Sequence, residues 1–249
     1  MIEMKKITFS FMAIFVLGMS LVLLGYSTSS KSASTFGKAE YTIKQYKEVK
    51  KYRKIKTTYR FDKPVLKGTS AAIKDINTSL EEEYKKSLDS KQTLESTAKE
   101  VSKYTDKWKY PLYSTYKCKG TYNKKGIVSF RFEREWYAGG VHNMYHYGLS
   151  YDLKTGRKLQ LDDVVSGSKT QIKEKIWKQY KKSYPQCPLT RRGTLKKKLS
   201  DWYFYLKGDK VVISAGAYAP WGGNGETTVS LPGAYQRQGS GGFRSGSVI

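Results

Sequence analysis

The 249-residue chain is long enough to bury a real core, as one large domain or two small ones. With 39% hydrophobic residues it is excluded from the disordered class over most of its length. Its 46 Lys and Arg against 21 Asp and Glu leave a net charge of +25, a field that draws polyanions and weakens with salt.

In chain order, Lys5 and Lys6 precede an apolar run, free of charge from Ile7 to Tyr26, and a Ser/Thr-rich stretch follows. This is an export signal. Roughly 20 residues at about 1.5 Å each span a hydrocarbon core of roughly 30 Å, so an uncleaved anchor is expected. A cleaved signal peptide is the alternative, since Ser27, Thr28 and Ser29 are small, although no clean Ala-x-Ala site is present. Tyr26 stands where a lipoprotein box carries its Cys, which excludes thioether anchoring. The remainder is expected outside the cytoplasmic membrane, where the available phosphates belong to lipid head groups and wall polymers. The expected partners are therefore a cell-wall polymer or an anionic lipid surface, or an envelope protein, and no nucleic acid.

From Ala39 to Val65 the chain is rich in Tyr, Thr, Val and Lys with partial alternation, and reads as one or two strands that stop at Pro64. Ile73, Ile76, Leu80, Tyr84 and Leu88 then recur every three or four residues, with Thr69 or Ser70 to cap, and predict an amphipathic helix followed by a polar continuation to about Asp106. Beyond it the period becomes two. Leu112, Tyr116, Cys118 and Tyr122 share one parity, and so do Val128, Phe130, Phe132 and Trp136, with Arg131, Glu133 and Glu135 opposite. These are half-buried strands joined by a hairpin turn at Asn123–Gly126.

A further strand puts Tyr145, Tyr147, Leu149, Tyr151 and Leu153 on one face, with His146, Gly148, Ser150 and Asp152 on the other, and turns at Gly156 where a positive φ is needed. A second helix runs from a capping box at Ser168 and Gln171, through the stripe Ile172, Ile176, Tyr180 and Tyr184, to Pro185 and Pro188. The basic piece around Lys196, Lys197 and Lys198, a hairpin about Gly208 and a last strand at 227–232 complete the domain. The Gly/Ser-rich tail is expected to be disordered. The class is α+β, with antiparallel sheets each packed by helices in two small tandem subdomains. The expected division is a leader and linker over 1–35, modules over 36–138 and 139–235, and a tail over 236–249.

Motifs for chemistry are sparse. His142 and His146 have the i, i+4 spacing of zinc peptidases, but the stretch alternates like a strand, Asn143 occupies the place of the catalytic Glu, and no third ligand is marked. No metal and no cofactor are expected. Asp162 and Asp163 are adjacent, so on extended chain they point apart, and a helix or turn cap is the simpler reading. There is no G-x-S-x-G, neither cysteine has a histidine near it in sequence, and the glycine-rich 221–226 segment lacks the Lys of a phosphate loop. Cys118 and Cys187, the only two cysteines, are either bonded to each other or left as two buried thiols. Lys169, Lys173, Lys175, Lys178, Lys181 and Lys182 crowd the second helix. Of these Lys173, Lys178, Lys181 and Lys182 are the candidate polyanion contacts, against the alternative of a solvated face.

The segments Gly139–His142, Tyr151–Val165 and Ala215–Glu226 resemble, in order and spacing, an exported domain found as the ectodomain of RsiV-type anti-sigma factors and ahead of the catalytic domain in PdaC-type peptidoglycan deacetylases. The preceding part, from about Ala39 through the Asn77 helix to Phe132, is similar to the companion N-terminal module of those proteins. The resemblance implies recognition in the cell envelope, and marks Gly139, Gly140, His142, Asp163, Tyr218 and Pro220 as ligand-facing or structural positions. Only six residues precede the apolar run, and the chain ends soon after Leu231, so neither the sigma-factor hold nor the deacetylase output carries over. The expected function is a noncatalytic envelope binding or sensing module, recognising wall glycan, an anionic wall polymer or a muralytic protein. A lysozyme partner is disfavoured because two strongly cationic surfaces repel. The rivals are a wall-polymer enzyme built on His142 and Asp162 or Asp163, and a wall anchor acting through bulk charge.

Overall fold

The computed structural model describes residues 37–104, 110–140, 142–216 and 227–236, all within one compact unit spanning 35–249. The expected leader, the 217–226 segment and nearly all of the expected tail lie outside the described residues. Among the described residues no helix is long and apolar enough to cross a membrane.

The first half builds a five-stranded sheet in the order β1-β2-β3-β4-β5. Strands β1 (Tyr41–Tyr52) and β2 (Ile55–Leu66) form an antiparallel hairpin, closed at Tyr52 against Ile55. Strand β2 continues past Pro64 because its pairing with β3 covers only Thr57–Phe61. Beyond that it is a local edge, where a missing N–H costs nothing. Helix α1 (Ala71–Tyr104) then carries the chain across to β3 (Leu112–Lys124), which pairs parallel to β2. The sheet is therefore not wholly antiparallel as expected: a crossover helix delivers the next strand in the same direction. A turn at Lys125 (φ 54) and Gly126 (φ 73) leads to β4 (Ile127–Tyr137). Two positive φ values are the signature of the type I′ hairpin.

Helix α1 holds 34 residues, about 50 Å at 1.5 Å per residue. The expected polar continuation is part of it, because Leu94 and Ala98 extend the buried stripe beyond Ile76 and Leu80. Three tyrosines of the sheet enter the α1 interface with their hydroxyls satisfied by helix serines. Tyr59 bonds Ser87 at 2.5 Å, Tyr116 bonds Ser90 at 2.9 Å and Tyr151 bonds Ser79 at 3.0 Å. Asn77 pins the end of β2 by bonding both N–H and C=O of Leu66 at 2.9 Å.

Strand β5 (Asn143–Asp152) pairs with β4 from Trp136 against Asn143 to Ile127 against Asp152. Its alternation is as expected, yet its C-terminal half is buried on both faces. Tyr147, Leu149 and Tyr151 enter the α1 core. The opposite face meets β6 (Tyr203–Lys207), where Ser150 donates to Ser129 at 2.8 Å and the Leu206 N–H donates to the same Ser129 hydroxyl at 3.0 Å. With β7 (Lys210–Ser214) and β8 (Thr228–Pro232), β6 forms an antiparallel sheet of three.

That second sheet shares an apolar cluster with α3 (Lys169–Ser183), which buries Ile172, Ile176 and Tyr180. The Ser168–Gln171 capping box opens α3 as the spacing requires. Two short helices, α2 (Leu161–Val164) and α4 (Arg191–Lys196), flank it. Gly156 (φ 76) turns the chain where a Cβ would lie 2.8 Å from the Ala72 carbonyl oxygen.

Candidate functional site

Period two puts Arg131, Glu133 and Glu135 on the face of β4 turned away from α1, and pairing brings Lys117 of β3 and His146 of β5 opposite Glu133. Lys117 Nζ lies 3.1 Å from Glu133 and 3.9 Å from Glu135, and Arg131 lies 3.8 Å from Glu133. His146 Nε2 is 3.3 Å from Glu133 Oε2, while His142 Nε2 is 3.1 Å from Glu135 Oε1. The two imidazoles thus serve different carboxylates, because four residues along extended chain separate them by about 13 Å, where a helix would stack them. Burial opposes ionisation of Glu133, but the hydrogen bonds from Lys117 and His146 outweigh it and hold its carboxyl below the usual range.

Asp163 sits at the far end of β5. It accepts from both terminal nitrogens of Arg157 at 2.8 Å and from the Gln160 N–H at 2.6 Å, closing the capping box of α2. His142 immediately precedes the ten-residue strand β5, whereas Asp163 follows the turn that brings Lys158 back against Tyr151 and Leu159 against Ser150 at the strand's other end. The structure does not bring them together. Asp162 points elsewhere, 4.0 Å from Lys169. Gly139 takes φ 95 at the start of the β4–β5 connection, whereas Gly140 lies in open space. Tyr218 and Pro220 fall outside the described residues.

The lysines of α3 divide. Lys173 donates to the Leu195 carbonyl at 2.9 Å and Lys181 to that of Cys187 at 2.6 Å, so both tie the helix to the segment that follows it. Lys178 and Lys182 are exposed. Both cysteines are free thiols in the structure, Cys118 partly buried and Cys187 buried. Cys118 packs against the α1 core and Cys187 is buried in the cluster of the second sheet, so each is occupied in a different hydrophobic environment. Burial, with the nearby Asp62 carboxylate, pushes the Cys118 thiol well up despite the opposing Arg131.

One charged residue has the parity of the apolar face. Arg134 of β4 follows Phe130 and Phe132 on the α1 side, donating to the Tyr145 hydroxyl at 2.7 Å and to Ser90 Oγ at 3.1 Å. Its guanidinium carbon lies 5.4 Å and 5.5 Å from the ring centres of Tyr116 and Tyr145. It forms the floor of a cleft of about 210 Å³ whose walls include Tyr145, Tyr147 and Tyr203, with Glu83 and Lys86 beside it. The signal was present in the residues: a lone cation in an apolar alternation.

Residues 48–145 match the family model described as Deacetylase PdaC. Among solved structures the chain is similar to a member of the DUF3298 family from Bacteroides fragilis, at 20% identity over 79% of this chain and 91% of that one, with a TM-score of 0.51. It is also similar to a DUF3298 family protein from Pseudomonas aeruginosa, at 15% identity over 78% and 89% of the two chains, with a TM-score of 0.42. No curated protein matches the chain. The first likeness carries the fold: a mixed α+β arrangement of a five-stranded sheet, a three-stranded sheet and helices.

Proposed function

We propose, from the premise that residues 48–145 are a PdaC-type module, that this protein is a noncatalytic binding module of the cell envelope that recognises an anionic wall polymer. The observation that carries the reading is how the polar groups are committed. His142, Asp162 and Asp163, the residues a hydrolytic reading needs, each face an internal charged partner, and the strand β5 keeps His142 and Asp163 apart. The cationic groups, by contrast, exceed the acids by 25. Internal ion pairs cannot neutralise them, so they remain for an external polyanion.

In this reading the apolar run at Ile7–Tyr26 exports the chain and holds it at the outer face of the membrane, within reach of wall polymer. A reporter fused after Ser34 is then found outside the cytoplasm. The functional test incubates the full chain with purified sacculi and follows both retention and glycan turnover. Retention without turnover supports the proposal. Turnover that disappears in His142→Ala replaces it with the enzyme reading.

A further inference from the structure

Arg60, Arg157 and Arg191 each hold a carboxylate, from Asp62, Asp163 and Glu174 respectively. Arg134 is more enclosed and holds none. Its partners among the described residues are neutral: two hydroxyls and two aromatic faces. Withdrawing a guanidinium from water costs several kcal/mol unless an anion or a full set of acceptors compensates it. The two hydrogen bonds use two of its five N–H donors, and its buried Nε makes none. The Tyr147 hydroxyl in the same wall is also buried and outside hydrogen-bond geometry. Burial raises its phenol well above the ordinary value, and the nearby Glu83 carboxylate adds to the rise. The cleft therefore holds a cation with spare donors that, unlike Arg60, Arg157 and Arg191, is paired with no carboxylate among the described residues, although Glu83 lines the same cleft.

We infer that the Arg134 cleft is an oxyanion pocket that takes the carboxylate or phosphate of an acidic sugar. A guanidinium presents a planar fork matched to such oxyanions. The surrounding tyrosines fit a sugar, because their rings offer apolar faces to C–H groups and their hydroxyls bond polar edges. Tyr145 and Tyr203 stack at 5.5 Å with an 18° tilt, and Tyr203, 38% exposed, forms the open lip. A cleft of about 210 Å³ is smaller than the roughly 300 Å³ at which sites for whole drug-sized ligands begin. It accommodates the charged end of a ligand and leaves the remainder outside. Lys86 at the cleft adds positive charge, and Glu83 offsets it while offering an acceptor to a hydroxyl beside the acid.

This pocket deepens the envelope-binding reading and rests on it only for where the acid comes from. The test titrates the full chain calorimetrically with glucuronic acid, glucose 6-phosphate and neutral glucose. At least one acid binds with a stoichiometry of one and glucose does not; preference for the carboxylate points to glycan acids, and preference for the phosphate to phosphate-linked wall polymers. Arg134→Met weakens the acid at least tenfold. Lys86→Gln, at an exposed helix position that leaves folding intact, weakens it about threefold, in the range of an exposed charge contact. Failure of both acids to bind the wild type overturns the pocket, as does unchanged affinity in folded Arg134→Met or, should that variant not fold, in Lys86→Gln. Sacculus retention separates the two ideas. Acids that bind a chain which sacculi do not retain contradict the envelope reading alone, and retention by a chain that binds no acid contradicts the pocket alone.

Discussion

Gly148→Ala tests how the two sheets are joined. A Cβ at this position would lie 2.0 Å from the Phe204 carbonyl oxygen, 2.6 Å from Tyr205 Cβ and 2.7 Å from the Phe204 carbonyl carbon. None of these atoms can swing aside. A carbon–oxygen contact needs about 3.3 Å, so β5 and β6 must separate by more than about 1 Å. That movement strains the Leu206 N–H to Ser129 hydrogen bond of 3.0 Å, which is buried. Overpacking costs about 1–3 kcal/mol, and a buried donor left unpaired costs about 1–3 kcal/mol more. At about 2–4 °C per kcal/mol for a domain of this size, Tm falls by roughly 10 °C in thermal unfolding followed by circular dichroism. Gly140→Ala is the control. It has no positive φ and nothing within 4 Å, so its Tm stays within about 2 °C of wild type. A Gly148→Ala protein as stable as wild type refutes the close approach of β5 to β6.

Three further outcomes are expected. Burial pushes the Tyr59 phenol up to about 12 from the ordinary 10.0, so the neutral phenol is equally present in both states below about pH 10. Stability is then lost as pH rises from 10 towards 12, because the unfolded chain ionises first, and absorbance at 295 nm shows late tyrosine ionisation coincident with unfolding. Complete titration near pH 10 in a folded protein contradicts this. Asp163→Asn breaks the Arg157 pair and weakens the α2 cap, lowering stability by about 1 kcal/mol while leaving sacculus retention unchanged; lost retention with unchanged stability would make Asp163 a ligand contact. Thiol titration without reductant finds two reactive groups per chain in denaturant and slow reaction at pH 8 in the native state. No thiol in denaturant would mean that a disulfide forms.

Much of the local structure is legible in the residues because it depends on local chemistry. The Ser168–Gln171 box and the period-two strands around Phe130 and Phe132 are specified within a few positions. What escapes is set by tertiary packing. The extension of α1 past Leu88 rests on only a few apolar residues, Leu94 and Ala98 among them, whose value appears once Ile55 and Leu112 meet them. The polar side of β5 reads as solvent-facing, yet Gly148 and Ser150 lie under β6, which enters the chain some fifty residues later. The same holds for the candidate site. His142 and Asp163 look like neighbours on paper because about twenty residues separate them, and one extended strand sends them to opposite ends. Arg134, placed between tyrosines from two other strands, has a visible parity but partners that only the sheet order reveals.

The most direct test of envelope binding is the affinity of the full chain for purified sacculi as a function of NaCl, with teichoic acid present and stripped. Binding carried by displaced counterions gives a steep linear fall of log affinity with log salt. It weakens sharply on stripped sacculi, and no glycan fragment appears. Affinity that is indifferent to salt and to stripping, or fragments released in proportion to protein, would contradict the account.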